Sequence, residues 1–204
     1  LYGEKDLRRD WAIAPYKYSG ADRVDNGPVL YDRNCGKWRR SYETLTPKDK
    51  NLSGTNFPIL RYSDVLLMLA EAENHENGPT ATAYDAINEV RRRAYGLPVN
   101  IHSIEADLTA GLGQLEFQNA IMDERARELC FEALRRADLI RWEKWTSNMA
   151  DLSAQMKQDL GSNASLKYAS LGATNAASSS RYLLYPIPAA ERAWKKVIKQ
   201  NPGY

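Results

Sequence analysis

A chain of 204 residues, 43% apolar and 26% charged, is long enough to bury one substantial core without covalent staples. Its formal charge of +2 carries no basic excess, which argues against nucleic acid as a partner. Cys35 and Cys130 form no CxxC pair, so neither a disulfide framework nor a thiolate zinc site is indicated, and no run of 18 apolar residues marks a membrane span.

Residues 1–57 show no helical period but many Trp, Tyr, Asp, Asn, Gly and Pro, which predicts loops with short extended pieces. From Arg61 the pattern changes. Val65, Leu66, Leu69 and Ala72 give an apolar stripe through RYSDVLLMLAEAENHE that stops at Asn77-Gly78-Pro79. Thr80 then caps TATAYDAINEVRRRA, where Ala83, Ala86, Ile87, Val90 and Ala94 share one side and Gly96 with Pro98 ends the helix. Small Ala70, Ala83 and Ala86, where two such helices approach, make this pair resemble a tetratricopeptide (TPR) unit.

Residues 97–113 are predicted as a loop. A helix resumes near Leu115 and runs through Ile121, Leu129 and Leu134 toward Arg141-Trp142, with residues 133–136 as a candidate break. Met149, Leu152, Met156 and Leu160 mark a further amphipathic helix, and the Ser/Ala/Asn/Gly stretch 161–181 is expected to be a mobile surface loop. Residues 182–204 combine a strand-like apolar run, two prolines, a short helix from about Ala189 and a Pro-Gly end. Trp142, Trp145 and Trp194 sit on helical patterns and are expected to pack. The whole chain, 1–204, reads as one mainly α domain.

DERARELCFEALRRADLIRW, residues 123–142, places Glu124, Glu128 and Glu132 on one helix face. Like charges four residues apart repel, by about 0.2–0.5 kcal/mol per exposed pair, unless cations intervene. Arg125 and Arg127 on the same helix, Arg135 and Arg141 after it, and Arg91, Arg92 and Arg93 on the preceding helix are the local supply, with Asp138 a further carboxylate of the same network. The expectation is therefore an ion-pair brace at a helix interface near Ile121 and Leu129. The alternatives are a carboxylate pair for glycoside hydrolysis, using Glu124 or Glu128, and a di-metal site. His75 and His102 stand outside any HExxH or Glu-x-x-His, which weakens the metal reading; GxSxG, P-loop and GxGxxG patterns are missing, and Cys130, between Leu129 and Phe131, reads as a small buried hydrophobe. No cofactor and no metal are expected.

FPILRYSDVLLMLAEAEN, AYDAINEVRRRAYGLP, IMDERARELCFEALRRADLIRWEKW, LLYPIPAAE and QNPGY occur in the order found in the C-terminal part of SusD/RagB-like proteins, and residues 57–204 resemble that family, with DLRRDW compatible with the region upstream. The resemblance implies a mainly α-helical fold of TPR-like helix pairs with long irregular loops, in which the N-terminal portion of the family fold lies outside this chain. It implies a nutrient- or glycan-binding lipoprotein of the outer membrane. Such a protein is anchored by a lipid not in this chain, surface-facing, non-catalytic, and paired with a SusC-like TonB-dependent transporter. Two positions depart from the family pattern. Ala133 stands where a glycine follows the glutamate in the family, which suggests continuous helix in place of a left-handed turn, and Lys195 stands four residues after Glu191 where asparagine is frequent.

A neutral sugar needs an aromatic ring beside amide, carboxylate or guanidinium groups. The N-terminal segment offers Trp11, Tyr31 and Trp38 with Asp32, Asn34 and Arg39 as the candidate ligand-binding set, with Tyr16, Tyr18, Asp22, Asp25 and Asn26 close in sequence. Trp11 and Trp38 also admit the reading that they plug this segment onto the helices. Binding residues in the family vary with ligand and come mostly from its N-terminal half, so none transfers to a position here. A TPR-like scaffold for a protein partner is the competing function, and a carboxylate glycosidase the third.

Overall fold

The structure is a computed structural model that describes residues 1–20, 22–27, 33–47, 52–159 and 164–204. The chain divides into two compact units, Leu1–Arg135 and Arg136–Tyr204. Among the described residues the α-helices and strands are α1 (Arg8–Ala12), β1 (Ile13–Ala14), β2 (Tyr16–Ser19), β3 (Asp22–Asp25), β4 (Asn34–Cys35), α2 (Tyr62–Asn77), α3 (Ala81–Ala94), α4 (Gln114–Glu128), α5 (Arg135–Arg141), α6 (Trp145–Gln158), α7 (Ala164–Ser178) and α8 (Ala189–Trp194), with short 3-10 turns at Arg40–Tyr42 and Ser180–Leu183. The fold is mainly α, as expected.

In the first unit, α2 and α3 form the helical hairpin that the apolar spacing predicts. Gly78, at φ 79°, lets its N–H reach the Asn74 carbonyl and close α2. Thr80 Oγ1 then accepts the Ala83 N–H at 3.3 Å and donates to Glu73 at 2.9 Å, so one hydroxyl starts α3 and ties it back to α2. Leu66, Leu67, Ala70, Ala83, Ile87 and Val90 close the core between the helices, and α4 adds Phe117 and Ile121. The buried face of α4 continues with Glu124, Arg125 and Glu128, so one stripe is apolar in its first half and ionic in its second.

The predicted loop 97–113 is stitched down by side chains of α3. Asn88 Oδ1 accepts the Leu108 N–H at 2.9 Å, the Tyr84 hydroxyl accepts from Leu112 and donates to Thr109, and Arg92 grips Asp107 through two bonds of 2.6 Å. The N-terminal segment carries two short antiparallel ribbons, β1 with β4 and β2 with β3. Gly36 is required beside the first ribbon, because a Cβ there would meet the Trp11 carbonyl oxygen at 2.5 Å.

Several expectations are corrected. The helix expected to continue toward Trp142 stops at Glu128, and Phe131 and Ala133 take φ of 62° and 61° before α5 begins. The left-handed turn therefore persists with alanine at the family's glycine position. In the second unit, residues 164–178 of the expected mobile loop form α7, antiparallel to α6. Ser153 Oγ meets the Ser170 carbonyl at 3.1 Å and Thr174 Oγ1 at 2.7 Å, and the Trp145 indole donates to the Ala176 carbonyl at 3.3 Å. Alanine favours helix, and small Ser153, Ser170 and Ala173 bury themselves by letting the two backbones approach, without the large apolar stripe that a hydrophobicity scan seeks.

The strand-like run after Tyr182 is not a strand either. Pro186 and Pro188 remove ladder donors, and Gln200 takes the place of a partner strand by accepting the Ile187 N–H at 2.7 Å and donating to its carbonyl at 3.0 Å. Trp194, expected to pack, is 88% exposed.

A non-glycine residue at left-handed φ costs about 1–2 kcal/mol, partly offset by the extra chain entropy a glycine would lose. Ala133→Gly is accordingly expected to raise the urea unfolding free energy of the protein by about 0.5–1 kcal/mol. An unchanged or lower value would show that Ala133 is unstrained.

Candidate functional site: the carboxylate clamp and two adjoining cavities

Glu124, Glu128 and Glu132 are buried, Glu124 completely, and each is met by cations from distant segments. Glu124 binds Arg8 at 2.7 Å, Arg91 at 3.0 Å and Arg127 at 2.8 Å. Glu128 binds Arg8 at 2.8 Å, Arg61 at 2.9 Å and Arg93 at 2.5 Å, and accepts from Ser63 Oγ at 2.9 Å. Glu132 takes Arg61 through two bonds of 2.8 Å and also pairs with Lys37. Asp6 holds Arg8 from behind at 2.7 Å.

Of the expected cations, Arg91, Arg93 and Arg127 reach the row, and the other expected members have partners beyond it. Arg92 goes to Asp107, Arg125 to Asp64 at 2.8 Å, Arg135 to the Met122 carbonyl at 3.0 Å, and Asp138 pairs with Arg141 at 3.0 Å within the second unit. Sequence reasoning missed Arg8, Lys37 and Arg61, which lie 116, 95 and 67 residues from the glutamates they hold. No sequence signal singled them out, because the arginines of the neighbouring segments already outnumber the three carboxylates.

Burial pushes the Glu128 carboxyl upward, but Arg93, Arg8 and Arg61 outweigh it and hold the group at about 2, against an ordinary 4.5. Burial, the largest cause, pushes the Cys130 thiol up, and it raises the Tyr2 hydroxyl as well, the two sharing a contact of 3.1 Å. Cys130 is thus a half-buried thiol, neutral at neutral pH. Among the described residues no group of three or more His, Cys, Asp or Glu side chains is placed to hold a metal ion.

Two cavities adjoin the clamp. One, of about 300 Å3, has Arg61, Arg93, Glu128 and Glu132 on its walls with Trp11 and Trp38. The other, of about 360 Å3, gathers Tyr16, Tyr18, Asn34, Trp38 and Arg39. Three of the six candidate ligand residues, Asn34, Trp38 and Arg39, therefore share one cavity, and Trp11 lines its neighbour. Tyr31 and Asp32 lie outside the described residues.

Trp11 is 43% exposed, with the Arg39 guanidinium 3.8 Å from its ring centroid. Arg39 also donates to the carbonyls of Asp10, Trp11 and Gly36, so it braces the segment as well as lining the cavity. Trp38 stacks on Phe57 with centroids 5.4 Å apart. Tyr16 and Tyr18, two residues apart on β2, meet edge to face at 5.9 Å, with Arg23 over Tyr16 and Tyr18 left open to solvent.

Because its folded-state value is depressed, Glu128 contributes stability that is complete above pH 4.5 and lost as pH falls toward 2, by about 3 kcal/mol in all. Urea unfolding followed between pH 2 and 6 is expected to show this acid limb. Glu128→Gln is expected to flatten it and to lower stability at pH 7 by about 3–5 kcal/mol, because Arg8, Arg61 and Arg93 lose a shared counter-charge. A variant as stable as the wild type would remove Glu128 from the clamp.

With this geometry in hand, comparison with known proteins gives one answer. The SusD family profile matches residues 12–204. The chain is 35% identical over 164 residues to SusD-like protein P2 of Formosa agariphila, covering 80% of this chain and 29% of that protein. It is 30% identical over 153 residues to the starch-binding protein SusD of Bacteroides thetaiotaomicron, covering 74% of this chain and 22% of that protein. The crystal structure of a SusD homologue from Bacteroides thetaiotaomicron superposes with a TM-score of 0.80 at 30% identity, over 98% of this chain and 41% of the homologue. The chain thus spans less than a third of the curated relatives and about two fifths of the solved one. A match across nearly its whole length, in sequence and in fold, establishes that this chain belongs to the SusD family.

Proposed function

We propose that the protein binds glycan without transforming it, and that the cavity of Tyr16, Tyr18, Asn34, Trp38 and Arg39 is where sugar is held. The observation that carries this reading is the convergence of three aromatic rings with an amide and a guanidinium on one open cavity of about 360 Å3, in a chain of the SusD family. An aromatic face receives the apolar face of a pyranose, while Asn34 and Arg39 supply donors to its hydroxyl rim. One relative is a starch-binding protein. Family membership supports the remaining parts of the role: attachment to the outer membrane through a lipid anchor, exposure at the cell surface, and delivery of ligand to a SusC-like TonB-dependent transporter.

The clamp chemistry favours binding over hydrolysis. A glycosidase acid must hold a proton near neutral pH, whereas Glu128 is held as a carboxylate down to about 2 by arginines that also occupy its oxygens. Glu124, completely buried behind Arg8, Arg91 and Arg127, offers no approach to a glycosidic oxygen.

Affinity electrophoresis and calorimetry of the full-length protein against a polysaccharide panel that includes starch test this reading. At least one glycan is expected to bind, and Tyr18→Ala to weaken it about 3- to 10-fold by removing an open stacking face. Trp194→Ala, which changes an exposed ring in the other unit, is expected to leave affinity unchanged. Absence of binding across the panel, with capture of a protein partner indifferent to sugar, would favour the scaffold reading.

A further inference from the structure

The clamp cavity beside the sugar cavity has an unequal supply of donors and acceptors. Its walls carry Arg8, Lys37, Arg61, Arg93 and Arg127 against Glu128 and Glu132, a surplus of three positive charges. Extending the count to Asp6, Glu124 and Arg91 behind those walls still leaves a surplus of two. The two carboxylates have little left to accept. Glu128 Oε1 takes Arg61 and Ser63, its Oε2 takes Arg8 and Arg93, and Glu132 takes Lys37 and Arg61 on one oxygen and Arg61 again on the other. With about four lone-pair sites per carboxylate, Glu128 is saturated and Glu132 nearly so.

Donors remain. Arg93, half exposed at 51%, gives Nη2 to Glu128, while its Nε and Nη1 have no acceptor among the described residues. The indole N–H groups of Trp11 and Trp38 likewise have no hydrogen-bond acceptor among the described residues. A neutral sugar, whose hydroxyls donate as readily as they accept, would leave this cavity unmatched. An acceptor-only group, a carboxylate or a sulfate ester, matches both its charge and its donors. Trp38 lines both cavities, so a ring stacked in one and an anionic substituent in the other can belong to one oligosaccharide.

We propose that the ligand is an acidic glycan whose carboxylate or sulfate is received in the Arg93-lined cavity; this rests on the glycan-binding reading and narrows its substrate class. The test is calorimetry on the full-length protein with matched probes. These are oligomers of galacturonate, glucuronate and mannuronate, each against its methyl ester, and a sulfated galactan tetrasaccharide against its desulfated form. At least one acidic probe is expected to bind ten-fold or more tightly than its neutral counterpart, the arm in which it does so separating carboxylate from sulfate. Raising salt from 20 to 500 mM is expected to shrink that advantage, a readout that needs no variant. Arg93→Gln is expected to abolish most of the preference and Arg93→Lys to keep part of it, with melting temperatures confirming that both fold. Equal binding of charged and neutral probes would overturn this inference while leaving glycan binding intact. An anionic preference that survives Arg93→Gln would also overturn it. Binding of no probe and no member of the polysaccharide panel would remove both readings.

Discussion

Burying Glu124 and Glu128 on the last turns of α4 and Glu132 in the turn that follows is tolerable only because cations from other parts of the chain surround them. An unpaired buried carboxylate would cost several kcal/mol, whereas the assembled network is close to neutral against an apolar replacement. Its contribution is therefore positional. Arg8 comes from α1, Arg61 from the start of α2, Arg91 and Arg93 from α3, and all converge on the last turns of α4. Breaking one contact leaves charge stranded, so these four elements hold a single mutual arrangement in the ionic half of the core, as the packing of Leu67, Ile87 and Phe117 does in the apolar half.

That arrangement positions the two cavities. The N-terminal segment has little apolar core of its own, yet Arg8 and Lys37 tie it to the glutamate row, and Arg39 ties it to itself through three carbonyls. Trp11 and Trp38 are consequently held beside the clamp, with β2 presenting Tyr16 and Tyr18 nearby. The two readings of those tryptophans, as plugs and as ligand-stacking rings, are compatible. Trp38 leans on Phe57 and lines both cavities. The same arginines that neutralise the glutamates give one cavity its positive surplus.

The second unit is held by different means. Between α6 and α7, hydroxyl-to-carbonyl bonds and small side chains do what leucines do between α2 and α3. The extended piece after the prolines depends on the amide of Gln200, which completes both backbone groups of Ile187, while Asn201 donates to the Tyr185 carbonyl at 2.7 Å. Such contacts carry almost no hydrophobic signal, which is why residues 164–178 read as a loop.

Much of this was legible in the sequence. The α2–α3 hairpin followed from apolar spacing, the Thr80 cap and the Gly78 stop, because those signals are local and physically sufficient. The ordered motifs pointed to the SusD family, and the glutamate row announced that cations were required. Local chemistry, however, does not say which cations. Arg92 and Arg125 have the right charge and sequence position yet pair with Asp107 and Asp64, while Arg8, Lys37 and Arg61 arrive from far away. Ala133 entered a left-handed turn that its side chain disfavours, since the surrounding contacts outweigh about 1–2 kcal/mol of backbone preference. The α2–α3 hairpin and the need for charge compensation were thus determined by the sequence alone; partner choice, and with it the donor-rich cavity, was decided by tertiary structure, because ion pairs obey proximity in space and not distance along the chain.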